Sequence, residues 1–228
     1  MAERGQGPTS RRDLARSLDD RANRLAGLGR WEEALAANGE ALGIYRELAA
    51  ARPDAIRPDL ARSLTNQSTW LVQLGRNEEA FGITKESIGI YSELAAIQPE
   101  TFRPHLAASL EAQAVHMVNL GRHDVALAYA KAAVNAYQEL AATRPDAFES
   151  DLAHSLAMCG SLLYELHRIE DAVPPLAWAF RIAATRGDEF YAMRALGILR
   201  DAYRRYPARV AGAWKRATET DPPDWLTD

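Results

Sequence analysis

Cysteine is almost absent. Cys159 is the single example in 228 residues, which excludes an intramolecular disulfide and any cysteine-based zinc site. Lysine is nearly as scarce, with Lys85, Lys131 and Lys215 the only three among 27 basic residues, and the net charge is −4. A chain without a basic surplus makes nucleic acid a poor first guess, because phosphate backbones are held by clustered cations. No apolar run reaches the ~18 residues that a membrane-spanning helix needs. The first ten residues are polar and glycine-rich, without the apolar centre of a secretory signal, so the expected compartment is the cytoplasm. Phosphate-binding glycine loops are missing too. The five histidines (His105, His116, His123, His154 and His167) include no pair four residues apart on one helix, the usual spacing of a helical metal site. They read as surface or cap residues. No metal, cofactor or catalytic residue is expected.

What is present is ordinary globular composition, 47% hydrophobic and 25% charged, arranged with strong internal repetition. Asp13-Leu14-Ala15-Arg16-Ser17-Leu18 recurs as Asp59-Leu60-Ala61-Arg62-Ser63-Leu64, then as His105 to Leu110 and Asp151 to Leu156, each step being 46 residues. Gly29-Arg30, Gly75-Arg76, Gly121-Arg122 and His167-Arg168 hold the same phase. So do Ala34, Ala80, Ala126 and Ala172, Tyr45, Tyr91 and Tyr137, and Pro53, Pro99 and Pro145. A fixed period of this size is the mark of stacked supersecondary units.

Each unit reads as two helices. In the second, Leu60, Leu64, Leu71 and Leu74 fall at helical spacing. Gly75 supplies the turn, and Glu78 and Glu79 suit the positive end of the next helix. Ala80, Ile83, Ile88, Tyr91 and Leu94 form that helix's apolar stripe. Pro99 is expected to close it, a linker to run from Pro99 to Pro104, and Pro58-Asp59 to open a first helix with Asp59 as its cap. Phe102, with Ile56 and Phe148 in the sister units, should tuck under the next helix. One such pair cannot cover both its apolar faces, whereas stacked pairs share a continuous core. Recurring Ser17, Ser63, Ser109 and Ser155 are then small packing residues, not nucleophiles, and Cys159 on an apolar helix face is a buried, inert thiol.

Leu64, Leu71, Gly75, Ala80 and Pro99, in that order, resemble the tetratricopeptide repeat. The resemblance covers about residues 13–182. It departs from the common form in its longer period, against about 34 residues, and in carrying Leu18, Leu64, Leu110 and Leu156 where a bulky aromatic is usual; long-repeat arrays of this kind are common in bacterial regulatory proteins. The resemblance implies an all-α, right-handed superhelical solenoid of antiparallel helix pairs, with a concave groove lined by the first helices. The expected organisation is a flexible N-terminus at 1–12, four repeats at 13–58, 59–104, 105–150 and 151–182, and a helical cap with a tail at 183–228. In the fourth unit Pro174-Pro175 should delay or kink the second helix. The tail residue Trp225 is expected to fold back onto the cap.

Residues that recur in every unit serve what every unit has, which is packing. Specificity belongs to groove positions that differ between units. Carrying the groove positions over from the resemblance gives Arg16, Asp19, Asp20 and Asn23 in the first unit, and Arg62, Thr65, Asn66, Thr69 and Gln73 in the second. The third gives Glu111, Val115 and Asn119, and the fourth His154, Ser161, Tyr164 and Glu165. Asn23 and Asn66 match the amides of the clamp by which some tetratricopeptide domains grip a chaperone's terminal carboxylate. Asp19, Ala108 and Ala112 stand where that clamp has cations, which argues against such a partner. The expected function is a protein- or peptide-binding adaptor using the concave groove. A regulatory sensor of a small molecule or signalling peptide is the alternative, and an enzyme with an unmarked groove site a more distant third. Self-association through the long second helices is a further expectation.

Overall fold

The structure is a computed structural model that describes residues 8–227. Every regular element among them is a helix, and two compact units divide the chain at residues 120 and 121. The first unit holds α1 (Pro8–Gly27), α2 (Trp31–Ala51), α3 (Pro53–Gln73), α4 (Asn77–Ile97) and α5 (Pro99–Asn119). The second holds α6 (His123–Thr143), α7 (Pro145–Glu165), α8 (Ile169–Arg186), α9 (Glu189–Arg205), α10 (Pro207–Thr218) and the short α11 (Asp224–Thr227). Within each unit successive long helices pack against one another in chain order.

The turns explain the phase of the repeat. Gly29, Gly75 and Gly121 take φ of 73°, 71° and 68°, a left-handed conformation that a side chain disfavours. His167 takes the same conformation, with φ 58°. Just beyond, the amides of Arg30, Arg76 and Arg168 reach back to the carbonyls of Leu25, Leu71 and Leu163 at 3.0, 2.8 and 2.8 Å, satisfying groups that a helix end would leave bare.

The prolines do something other than the sequence pattern suggests. Pro53, Pro99 and Pro145 open α3, α5 and α7, each separated from the preceding helix by one residue (Arg52, Gln98 and Arg144). The first amide of a helix has no carbonyl partner, so proline is tolerated there at no cost in hydrogen bonds. The expected linker from Pro99 to Pro104 is therefore helical, and Pro58 and Pro104 lie inside helices. Asp59 is no cap. It sits within α3 and accepts from Arg12 at 2.7 Å. Likewise α1 already runs from Pro8, so residues 8–12 are helical, while residues 1–7 of the expected N-terminal arm lie outside the described residues. In α8 the helix begins at Ile169 and continues through Pro174 and Pro175.

The cores follow the small-residue pattern. Ala34, Ala80, Ala126 and Ala172 are all buried. In the first unit Ala15, Leu42, Tyr45, Ile56, Leu60 and Leu64 form one cluster, and Ala22, Leu25, Ala37 and Trp70 a second. In the second unit Gly160 admits Leu176 to the surface of α7: a Cβ at Gly160 would lie 2.5 Å from Leu176 Cγ. The tail folds back as expected. The Trp225 ring lies 4.7 Å from Phe180 and 5.7 Å from Trp214, Arg200 Nε donates to the Trp225 carbonyl at 2.8 Å, and Leu226 is buried.

Candidate functional site

The candidate residues sit on the first helices of each pair: α1, α3 and α5 in the first unit, and α7 in the second. In the first unit their surroundings divide them into an outward set and a buried set. Asp19 belongs to the buried set, with its side chain fully covered. Its Oδ1 accepts from Asn38 Nδ2 and from Ser63 Oγ, both at 2.9 Å, so it is not a groove side chain as the pattern implied. A carboxylate taken out of water needs such donors and a cation. Arg62 provides the cation, 3.3 Å from Asp19 Oδ2 and 3.8 Å from Asp59. Tyr45 lies close enough to this group that burial, reinforced by the Asp19 and Asp59 charges, pushes its phenol up to about 12. Arg62 is thus held by two carboxylates, with its head part-exposed.

Asn23 and Asn66 form the outward pair. Asn66 Nδ2 donates to Asn23 Oδ1 at 3.1 Å. The bond fixes both amides and leaves the Asn23 NH2 and the Asn66 oxygen with no other partner among the described residues, a donor and an acceptor side by side. Thr69, Gln73, Arg16 and Asp20 are exposed around them. The hydroxyls of Thr65 and Thr69 are turned back on α3, donating to the Ala61 and Thr65 carbonyls at 3.0 and 3.2 Å. Thr65 also meets Ser87 Oγ at 2.8 Å. On α5, Glu111 is half-buried and engaged, while Val115 and Asn119 are exposed.

On α7, Ser161 is buried and donates to the Ala157 carbonyl at 2.7 Å, so its hydroxyl is not free for a ligand. His154 lies against Tyr191 with ring centroids 4.6 Å apart. The Tyr164 hydroxyl donates to Asp201, which also accepts from Arg205 at 3.1 Å. Burial, then that hydrogen bond, raises the phenol, and the same bond is the largest cause holding Asp201 below its ordinary value. Glu165 lies 3.3 Å from His123.

Residue patterns missed Asn38 and the polar role of Ser63. The signal was present. Position 38 is Asn where its sisters are Thr84, Ala130 and Leu176, inside an otherwise apolar stripe. His116 also differs from its surface reading: it is buried on α5, facing Thr84 Oγ1 at 3.3 Å, and burial holds its imidazole below the usual value. Tyr45, Tyr91 and Tyr137 are core residues, as expected. Cys159 is buried, and burial pushes its thiol up. Among the described residues no three His, Cys, Asp or Glu side chains are grouped to hold a metal ion, and no helix is long and apolar enough to cross a membrane.

No family model matches the sequence, and no curated protein matches it. Solved structures do. The apo form of RapI superposes with a TM-score of 0.68 at 13% identity, over 90% of this chain and 67% of that one. Nearly identical TPR-like repeats of a putative kinesin light chain from Podosopora anserina give 0.62 at 16% identity, over 92% of this chain and 99% of that one. The chain has a tetratricopeptide-like fold. Aspartyl phosphate phosphatase F from Bacillus subtilis superposes with a TM-score of 0.63 at 13% identity over 92% of this chain and 56% of that one. The present chain therefore spans about half of that protein's length and two thirds of RapI's. At these identities the likeness concerns the fold, and the chemistry of the site must come from the residues themselves.

Proposed function

We propose that this chain is a protein- or peptide-binding adaptor that presents the outward face of its first helices to an extended partner segment. In this reading residues 13–58, 59–104, 105–150 and 151–182 are the repeat units, and 183–228 the cap that closes the array. The observation that carries the proposal is the Asn23–Asn66 pair. Two amides that neighbour in space, contributed by different repeats, are held rigid with one donor and one acceptor uncommitted. That is the pairing a peptide group requires. The residues on this face that vary between repeats (Arg16, Asp20, Thr69 and Gln73) are exposed, while recurring Ala15, Ala61, Leu60, Leu64, Tyr45 and Tyr91 are buried, Ser17 and Leu14 being exposed exceptions among the recurring positions. Solenoid repeats commonly bind through such faces.

A photo-crosslinking side chain at Thr69 tests this. It should capture a partner that the Asn23→Ala/Asn66→Ala variant loses, with helical content and melting midpoint unchanged. The same crosslinker at Glu40, exposed on α2, should not capture it. Capture from Glu40 and none from Thr69 would refute the assignment. Arg62→Ala is unsuitable as the test, because it also strips the cation from buried Asp19.

A further inference from the structure

A second surface, lined by other residues, lies within the second unit. Between α6 and α8 run two hollows of about 600 and 560 Å³ that share Leu156, Pro174 and Pro175 and so form one open trough. Its floor is α7, through Leu152, Leu156, Cys159 and Leu163. The wall on α8 is where the chain leaves its own repeat. Pro174 and Pro175 replace Ala36 and Ala37, Gly82 and Ile83, and Ala128 and Tyr129 of the other units. Trp178 replaces Glu40, Glu86 and Ala132, and Arg181 replaces Gly43, Gly89 and Asn135. A tryptophan left 41% exposed at a position that is elsewhere charged or small is not required by the stacking common to every unit. Large rigid aromatics set in a hollow are the residues that most often anchor a bound partner.

Polar groups border this apolar floor in a particular order. Asn135 and Gln138 project from α6 along the trough, two side-chain amides without partners among the described residues. Pro174 and Pro175 have no amide hydrogen, so the carbonyls of Glu170 and Asp171 on α8 lose the donors that a helix would give them. Both edges therefore carry groups able to hydrogen-bond a peptide backbone. Charge then selects among peptides. At one end Arg168 is spent on Asp171 at 2.6 Å, and Glu170 is shared by Arg209 and Arg216 at 3.0 and 3.7 Å. Lys131 there has no carboxylate partner among the described residues. At the other end Arg181 stacks on Trp178 with its guanidinium carbon 3.8 Å from the ring centre. Stacking leaves its charge unneutralised. Glu149, which lines that end on α7, is taken by Arg186 at 2.7 Å, so Lys131 and Arg181 are the two lining cations without a carboxylate partner among the described residues. Lys131 to Ala141 spans about 15 Å of helix, the reach of four or five extended residues at ~3.3 Å each.

We propose that this trough binds an extended peptide segment in which a few apolar residues are flanked on both sides by carboxylates. The test is an array of capped hexapeptides with four varied apolar residues between two glutamates or between two lysines, probed with the whole chain. The glutamate-flanked set should bind and the lysine-flanked set should not. Trp178→Ala should weaken binding by about tenfold or more. Lys131→Glu/Arg181→Glu should invert the preference, while Asn23→Ala/Asn66→Ala should leave it intact. These side chains are surface groups, so circular dichroism should report an unchanged fold. Equal binding of the two sets, or binding insensitive to Trp178 and to charge reversal, would overturn the proposal. So would a trough that proves to be filled by a second copy of the chain, seen as concentration-dependent mass in sedimentation that Trp178→Ala abolishes.

Discussion

Gly160 is the position at which packing can be tested most sharply. A Cβ there would stand 2.5 Å from Leu176 Cγ, 2.8 Å from Leu176 Cδ2 and 3.3 Å from the Ala172 carbonyl oxygen. Leu176 is buried, so either its side chain or the neighbouring helix must shift to make room. Overpacking of this kind costs about 1–3 kcal/mol, from which the better helix propensity of alanine recovers up to about 1 kcal/mol. Gly160→Ala should therefore lower stability, by up to about 2 kcal/mol when the full propensity gain is recovered. Leu176→Ala alone should cost about 2–5 kcal/mol by opening a cavity. In the Leu176→Ala background the clash is gone, so Gly160→Ala should now stabilise by about 0.5–1 kcal/mol. The pair would then match Ala114 and Ala130, which the third repeat carries at these two positions. Urea unfolding of the four proteins of the cycle gives the coupling. A Gly160→Ala effect of the same sign and size in both backgrounds would refute the close-approach argument.

Three further outcomes are expected. Arg62→Ala should cost about 1–2 kcal/mol in urea unfolding, less than the loss of a fully buried pair because the guanidinium is part-exposed. Adding Asp19→Asn should restore much of it by removing the stranded charge while keeping an acceptor for Asn38 and Ser63; no recovery would mean that the charge is not the issue. His167→Gly should raise the thermal midpoint, by about 0.5–1 kcal/mol in stability, because His167 bears a left-handed conformation at φ 58° that glycine adopts freely; a lower midpoint would show that the imidazole makes a contact that outweighs the strain. Burial holds His116 below its ordinary value of 6.5, so on acidification the unfolded chain takes up this proton before the folded chain does. Its contribution is fully present above pH 6.5 and should decline as the pH falls from there toward the lowered folded value. His116→Gln should flatten that part of the stability–pH curve, and an unchanged slope would exclude His116 as its source.

The repeat was legible because its determinants are local and periodic. A glycine at the first three turns, an alanine at each of positions 34, 80, 126 and 172 and a tyrosine in the first three second helices all keep one phase, and stacking needs similar residues every time. The proline error has an equally local cause. Pro53, Pro99 and Pro145 look like stops when the preceding helix is read toward them. They are starts, because the helix that follows lacks an acceptor for its first amide and loses nothing by having no donor there. Only the one-residue spacing between helices, visible at Arg52, Gln98 and Arg144, distinguishes the two readings. No sequence period encodes that spacing.

The candidate face was half legible, and the failures follow one rule. A period fixes which helix bears a residue, but not the rotation of that helix by one position, and one position separates Asp19, buried, from exposed Asp20. What decides between them is a residue on another helix. Asp19 turns inward because Asn38 and Ser63 offer it donors and Arg62 a cation. None of these is adjacent to it in sequence, and the donors make burial of a carboxylate tolerable. Ser161 turned out committed for the opposite reason, since its hydroxyl finds an acceptor one turn back on its own helix and needs no partner elsewhere. Asn23 and Asn66 stayed outward because each supplies what the other's amide lacks, so neither gains from being buried. Repeat-to-repeat variation therefore marks two kinds of residue at once: those that address a partner, and those that repair a polar fault between neighbouring helices. Only the location of the complementary group separates the two.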